Sequence, residues 1–335
     1  IIFTPVLNTV DYFDDAFKFR SYSDNIDTIS ELGLNFVKGC REIGVASCIK
    51  YFPMMDVKSA RDTSPDAISL TPFKRCIDAG VDCVFIAPLI LKSENNAVSP
   101  VTLNNTIGAV LRNNLGFKGP IISMISDDTG ASVNDERLKQ LTIGFLDAGC
   151  DILILPETTA TSIPFIDRLI LDAENEKIDT KRIDDSVTRI LTLKDKLNLH
   201  LKPTASQIQQ VSIIGLEEYH NVADAISDSS ITLLKNDGGI LPFNYDKQYI
   251  VSVCFADENS VIEAAYYHKY LNEKYRKIYN ISVIGVPSER IEAEVMRRVA
   301  EADVVLCEFF IKPSYTGDRL STEARNLVRK ILTTN

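Results

Sequence analysis

The sequence predicts an α/β protein in which a (β/α) barrel of the TIM type is followed by a smaller three-layer α/β sandwich. Two observations support this prediction. Apolar, β-rich runs alternate with helical patterns over the first half of the chain, and the same alternation restarts near residue 249. The runs are nearly continuous in apolar residues, which is typical of parallel strands covered by helices. A length of 335 residues is sufficient for one large α/β domain and a smaller one.

The first part of the chain contains five predicted strands with helices between them. The strands cover residues 1–7, 44–52, 81–91, 119–124 and 151–156. The helices cover residues 26–43, 70–79, 103–115 and 136–148. A doubly wound sheet is the alternative architecture, but no G-x-G-x-x-G sequence follows any of these strands, which favours the barrel.

The second part of the chain predicts three further strand–helix pairs. A helix over residues 181–194, apolar at positions 183, 187, 190, 191 and 193, is expected to end the barrel. The later strands cover 249–255, 280–286 and 303–311, and the helices 261–275, 289–302 and 322–332. This pattern is flavodoxin-like, with no closing strand after the last helix. We therefore expect a barrel over 1–199, a linker and helix over 200–229, and the sandwich over 230–335.

Composition and charge argue against several classes of protein. The formal net charge is −10 and no basic run is present, which argues against a nucleic-acid partner. No apolar run approaches the roughly 20 residues of a transmembrane helix. The seven cysteines form no C-x-x-C or Cys/His spacing, so no metal is predicted. Their odd number and apolar surroundings favour a reducing compartment such as the cytoplasm and leave a cell-envelope or secreted location open.

Several segments, taken together, resemble glycoside hydrolase family 3 in its β-N-acetylhexosaminidase branch. Residues 111–131 resemble the signature L-R-x-x-L-G-F-x-G-V-[IV]-x-[ST]-D-D with its later Gly-Ala. The other segments that resemble family motifs are 3–8 (F-A-P-V-L-D), 20–24 (R-S-[FY]-x-x-D), 44–53 (G-V-x-x-x-x-K-H-F-P-G), 100–103 (P-A-T-L), 148–151 (A-G-[AC]-D), 181–194 (R-I-D-x-S-V-x-R-I-L-x-x-K) and 231–242 (I-T-L-L-K-N-x-x-x-L-L-P). These segments follow one another in the family's order.

The resemblance implies that the five predicted strands correspond to the family's fourth to eighth barrel strands. Five strands cannot close such a barrel, because both open edges would expose unpaired backbone groups. We therefore expect that a cleaved segment or a second chain completes the barrel, or that this chain closes differently. The absent part would also carry an acidic sugar-binding position.

Met124 occupies the position at which the resemblance implies a catalytic aspartate. Gly119 and the Gly-Ala pair at 130–131 align without a gap, so the nucleophile of the signature falls on Met124. A thioether cannot form or stabilise a glycosyl intermediate, whereas a carboxylate can. Asp127 and Asp128 are candidates for a displaced nucleophile; the alternative is an acidic turn before residue 130.

The proton donor of this family branch also lacks a counterpart. The resemblance implies a histidine in a motif like D-T-S-x-D-S-H, and Ile68 stands at that place in residues 62–68. All three histidines lie at or beyond residue 200, so none lies within the predicted barrel. Other family members take the acid from a glutamate of the second domain. Glu258 and Glu308 are possible, but ordinary surface carboxylates are the favoured interpretation.

Arg20, Lys50 and Tyr51 are the candidate substrate-binding residues. The resemblance implies that Arg20 and Lys50 contact sugar hydroxyls, and Tyr51 replaces a histidine of the family motif. Lys50 also ends an apolar strand, at the barrel face where sites are built. A tyrosine can donate a hydrogen bond or stack on a sugar ring. No organic cofactor is implied.

Three functions are compatible with these residues. The favoured one is a family-3 relative that has lost catalysis and binds an amino sugar or a peptidoglycan-type carbohydrate. The second is an active β-N-acetylhexosaminidase or β-glucosidase type hydrolase that uses Asp127 or Asp128. The third is a structural or partner-binding scaffold.

Overall fold

The structure is a computed structural model of the chain. It describes residues 1–9, 20–53, 70–86, 90–92, 98–100, 105–124, 135–155, 159–175, 178–201, 215–237, 241, 248–311 and 320–334. Two compact units are present, Ile1–Pro203 and Thr204–Asn335. Each unit is an α/β assembly built on parallel strands.

The sheet of the first unit contains four parallel strands. The strands of this unit are β1 Cys48–Phe52, β2 Cys83–Ile86, β3 Ile90–Lys92, β4 Val98–Pro100, β5 Ile121–Met124 and β6 Ile152–Ile154. The sheet order is β1-β2-β5-β6, and the N-terminal segment lies beside β1 through parallel bridges from Ile2 to Ser47 and from Val6 to Lys50. Spatial order thus follows sequence order, which is the arrangement of a (β/α) barrel and confirms the predicted fold class.

One predicted strand is divided in the structure. Residues 81–91 were expected to form a single strand, but β2 ends at Ile86. Ile90–Lys92 forms β3, which pairs antiparallel with β4 in a separate two-stranded sheet. Apolar composition predicts extended backbone, whereas the pairing partner is decided by long-range contacts.

Six helices are described in the first unit. They are α1 Ile26–Glu42, α2 Thr71–Asp78, α3 Asn105–Ala109, α4 Asp135–Asp147, α5 Thr159–Glu174 and α6 Thr180–Lys196. The Asn25 side chain caps α1 by accepting the backbone N–H of Thr28 at 3.0 Å. A π-helical turn, Val110–Asn114, continues α3. The sequence did not predict α5, whose helical pattern is interrupted by Pro164, a residue without a backbone N–H.

Alternate residues of the strands pack into two separate cores. Ile49, Val84 and Ile121 face the core that includes α1 and α2. Their neighbours Cys48, Cys83 and Ile122 face the opposite core, together with Leu193 of α6. Neighbouring strand residues point to opposite faces, so each strand contributes to both cores.

The second unit is a three-layer sandwich. Its strands are β7 Ile250–Ala256, β8 Ile278–Ile284 and β9 Val304–Phe310, in the order β8-β7-β9 and all parallel. Its helices are α7 Glu217–Ser230, α8 Val261–Lys274, α9 Glu289–Glu301 and α10 Thr322–Leu332. Helices α9 and α10 pack on one face of the sheet and α8 on the other. The predicted strands and helices of this unit agree with these bounds to within two residues.

Candidate functional site

Met124 is the last residue of β5, at the carboxyl end of the first sheet. Its side chain is 37% exposed, and its backbone is paired in register with Ile154 of β6. Ser123 is fully buried, and its hydroxyl donates to the carbonyl of Ile86 at 3.0 Å. Because successive strand residues alternate, Met124 lies on the same face as Ile122, the face that carries the second core.

Lys50 and Tyr51 lie in β1, toward the same carboxyl end of the sheet. The Lys50 backbone N–H donates to the carbonyl of Pro5 at 3.0 Å, and its carbonyl accepts from Leu7 at 2.6 Å. The Tyr51 ring packs edge-on against Phe85, with 5.6 Å between ring centroids. The Lys50 ammonium lies 5.2 Å from the Tyr51 ring centroid, within the range of a cation–π contact. Both side chains are half-buried.

Asn8 joins the segments that carry the candidate binding residues, and sequence reasoning did not single it out. Its side chain is fully buried and hydrogen-bonds the backbone of Tyr51. Its carbonyl accepts a hydrogen bond from the hydroxyl of Ser21, which follows Arg20 in the chain. The signal that could have identified Asn8 is its departure from the family motif, in which this position is an aspartate.

Of the other predicted site residues, some belong to the ranges that the structure describes and some do not. Arg20 is exposed. Asp127, Asp128 and the segment 62–68 lie outside the described residues. The structure therefore brings Lys50 and Tyr51 together, and it places the residue after Arg20 against Asn8.

The two glutamates of the second unit differ in their surroundings. Glu258 is exposed after β7, as an ordinary surface carboxylate would be. Glu308 lies within β9 and is half-buried, and it accepts hydrogen bonds of 3.0 and 3.1 Å from the Ser252 hydroxyl. Burial raises the pKa of Glu308 to about 7. Glu308 therefore differs from the ordinary surface carboxylate that the sequence favoured, because its place on the strand partly removes the carboxylate from water.

The part of the chain that the structure describes contains no metal-binding cluster of side chains and no membrane-spanning helix. No group of three or more His, Cys, Asp or Glu side chains within it could hold a metal ion. Within the same residues, no helix is long and apolar enough to cross a membrane. The cysteines are free thiols; Cys48, Cys83 and Cys254 are fully buried, as their apolar surroundings predict, and Cys307 is half-buried.

Known proteins are similar to this chain in sequence. A family model described as "Glycosyl hydrolase family 3 N terminal domain" matches residues 1–193. A protein of Cellulomonas fimi named "Beta-N-acetylglucosaminidase/beta-glucosidase" is 25% identical over 268 residues, which is 73% of this chain and 47% of that protein. "Beta-hexosaminidase A" of Pseudoalteromonas piscicida is 25% identical over 277 residues, 72% of this chain and 46% of that protein. The chain thus spans about half the length of these relatives.

Solved structures share the fold of the chain. A glycoside hydrolase family 3 beta-N-acetylglucosaminidase from Paenibacillus sp. matches with a TM-score of 0.73 and 20% identity, covering 99% of this chain and 65% of that one. The beta-glucoside phosphorylase BglX matches with a TM-score of 0.69 and 20% identity, covering 94% of this chain and 61% of that one. At this identity the likeness concerns the fold alone.

Proposed function

Because the chain belongs to glycosyl hydrolase family 3, we propose that it is a carbohydrate-binding member that has lost hydrolysis. Its ligand is an amino-sugar or peptidoglycan-type carbohydrate, bound at the carboxyl end of the first sheet. One observation carries this proposal: the strand end at which the family signature has its nucleophile bears the thioether of Met124, with 37% of that residue exposed. A thioether provides no carboxylate for a glycosyl intermediate.

A second substitution supports the same conclusion independently. A retaining glycosidase also needs a proton donor on the opposite side of the glycosidic bond from the nucleophile. No histidine lies between residues 1 and 199, so the donor type of the hexosaminidase branch is absent from that part of the sequence. The loss of two separate groups favours binding without turnover.

The groups suited to sugar binding are retained. Lysine and arginine side chains donate hydrogen bonds, and sugar hydroxyls accept them. Lys50 lies beside the Tyr51 ring, which offers an apolar surface next to a donor, and Arg20 adds a second cation. The names of the Cellulomonas and Pseudoalteromonas relatives refer to N-acetylglucosaminidase and hexosaminidase activity, which favours an amino sugar as the ligand.

Calorimetric titration with N-acetylglucosamine oligomers tests the binding. We expect wild-type protein to bind, and Lys50→Met, which keeps the unbranched stem of the side chain and removes the ammonium group, to bind about tenfold more weakly. Ile262→Met, an exposed substitution in the second unit, is the control for nonspecific effects. If neither binding nor turnover is observed for wild-type protein, the binding proposal fails in favour of a scaffold function.

Turnover of 2,4-dinitrophenyl N-acetylglucosaminide tests the loss of catalysis. This leaving group departs without protonation, so a carboxylate at residue 124 needs no proton donor. We expect no release by wild-type protein and a burst of about one equivalent by Met124→Asp, as a covalent intermediate forms. Met124→Asn is the matched control without the charge. Wild-type turnover that is lost in Asp127→Asn or Asp128→Asn would instead establish the displaced-nucleophile hydrolase.

A further inference from the structure

We infer that Asn8 is the positioning residue that holds the Arg20–Ser21 and Lys50–Tyr51 segments in one binding geometry. This inference rests on the proposed function and adds a residue that touches neither the sugar nor its reacting atoms. It is carried by three observations: a two-point contact of the Asn8 side chain, a break in the pairing of β1, and a contact of the Asn8 carbonyl.

The Asn8 amide makes complementary contacts to both backbone groups of Tyr51. Its Oδ1 accepts the Tyr51 N–H at 2.6 Å, and its Nδ2 donates to the Tyr51 carbonyl at 3.0 Å. The side chain is fully buried, so an unmade hydrogen bond there would not be replaced by water. An ionised aspartate has only acceptor atoms. It could still accept the Tyr51 N–H, but its second oxygen would be repelled by the Tyr51 carbonyl oxygen.

These contacts lie at a break in the β1–β2 ladder. Cys48 and Ile49 pair in register with β2, and the register then shifts before Phe52. Lys50 and Tyr51 fall within that shift, where regular pairing with β2 does not orient the backbone. For Tyr51 the Asn8 amide is a partner of both the backbone N–H and the backbone carbonyl. At Tyr51 the Asn8 side chain therefore takes the place of pairing with a neighbouring strand.

The backbone of Asn8 makes the second connection. Its carbonyl accepts a hydrogen bond from the Ser21 hydroxyl, one residue after Arg20. The preceding residue, Leu7, donates its N–H to the Lys50 carbonyl at 2.6 Å. One short segment thus contacts both candidate binding segments. Binding geometry depends on such supporting contacts, because displacements of about an ångström reduce the strength of the contacts made to a ligand.

A double-mutant cycle on sugar affinity tests the inference. We expect Asn8→Asp to weaken binding of N-acetylglucosamine oligomers about tenfold in the wild-type background. We expect it to cause a clearly smaller further loss when Lys50→Met is already present, because one of the binding groups that Asn8 positions is then gone. Equal losses in both backgrounds would overturn the inference and assign Asn8 a purely structural role. Ser21→Ala removes the hydrogen bond to the Asn8 carbonyl and leaves the Asn8 side chain in place, so it is expected to disturb folding less than Asn8→Asp.

Amide hydrogen exchange gives a readout that needs no ligand. We expect the Tyr51 amide to exchange at least tenfold faster in Asn8→Asp, while amides of β2 and β5 keep their protection. Ser30→Ala removes a buried hydroxyl that donates to the Ile26 carbonyl at 2.7 Å within α1, and it is the matched control. It should change neither Tyr51 exchange nor affinity. If wild-type protein binds no sugar, the proposed function fails, and unchanged Tyr51 exchange in Asn8→Asp would overturn the positioning role separately.

Discussion

At the residue scale, Glu308 illustrates how strand position changes the chemistry of a side chain. Burial on the sheet raises the pKa of its carboxyl to about 7, and the hydrogen bond from Ser252 acts in the opposite direction. Tyr267 is affected as well, since burial, and then the nearby Glu308 charge, raise its pKa to about 12. The protonated form of Glu308 is therefore the form that this fold favours.

This pKa predicts a pH dependence of the second unit's stability. The folded pKa lies above the unfolded value, so the contribution of protonated Glu308 is complete below about pH 4.5 and is lost as pH rises through about 7. We expect Glu308→Gln to be more stable than wild type by about 1–2 kcal/mol at pH 8. This free energy is smaller than the pKa shift alone implies, because solvent screens a half-buried carboxylate. The advantage should vanish near pH 4.5.

Urea denaturation of both proteins between pH 4.5 and 8 measures this difference. Glu258→Gln, an exposed glutamate near the end of β7, is the control and should follow wild type at every pH. Parallel stability curves for wild type and Glu308→Gln would contradict the predicted titration.

At the element scale, three aspartates lie just before a strand, and each accepts a backbone N–H from the start of the neighbouring strand. Asp82 accepts the N–H of Ser47 at 3.1 Å, Asp151 that of Ile121 at 2.8 Å, and Asp303 that of Tyr249 at 2.7 Å. In each case the acceptor precedes one parallel strand and the donor lies at the start of the neighbouring strand. The side chain thus extends the ladder at the amino end of the sheet, where backbone partners run out.

Helix α6 spans the predicted helix over 181–194, but two of its apolar positions lie on the exposed side. Val187 and Leu191 are 45% and 56% exposed. The inward positions are instead spaced by four and three residues and are mostly polar: Arg182, Ser186, Arg189, Leu193 and Lys196. Through ion pairs they attach this helix to the buried carboxylates of Asp82 and Asp151. The helix itself was predicted correctly, but its inward face packs mainly against buried carboxylates and not against apolar side chains.

Asp151 is the centre of this contact, and its replacement is predicted to be severe. Its carboxylate is fully buried and accepts from Arg112 at 2.7 Å, Ser186 at 2.7 Å and Arg189 at 2.9 Å. Asp151→Asn would leave adjacent guanidinium groups without their counter-charge, so we expect a loss of about 3–5 kcal/mol in the free energy of unfolding. Urea denaturation of the first unit measures it. Asp185→Asn, an exposed change on helix α6, should cost less than about 0.5 kcal/mol.

At the scale of the whole molecule, each compact unit has its own hydrophobic core. The core of the second unit contains fully or nearly fully buried side chains from β7, β8, α9 and α10: Val251, Val253, Phe255, Val283, Val295, Val299, Leu327 and Ile331. Such a core is what an independently folding domain requires. Helix α7 of this unit, by contrast, has no buried residue.

We therefore predict that the segment Thr204–Asn335, expressed alone, folds cooperatively. Its expected stability is on the order of 5 kcal/mol, at the low end for a single domain. Circular dichroism with urea denaturation checks this, and Val253→Asp, which buries a charge in the core, should abolish the transition. A broad, non-cooperative transition in the unmodified segment would contradict the prediction.

The sequence by itself determined the order of the parallel strands and of the helices other than α5, the family and the substitution at residue 124. These depend on local periodicity and on short motifs aligned without gaps, which a chain carries whether or not it is folded. Strands β7 to β9 were placed within two residues, because each is rich in β-branched and aromatic residues and is followed by a helical pattern. Helix α5 was missed because its interior proline conflicts with helical propensity.

Only the tertiary structure decided which polar groups meet. Asn8 and Tyr51 are 43 residues apart in the chain, and Asp151 and Arg189 are 38 apart. The division of the predicted strand at 81–91 and the raised pKa of Glu308 likewise depend on neighbours from distant segments. Residue type specifies what a group can donate, accept or titrate, whereas strand pairing and helix packing determine its partner and its burial. A contact between distant residues has no local pattern from which it can be read.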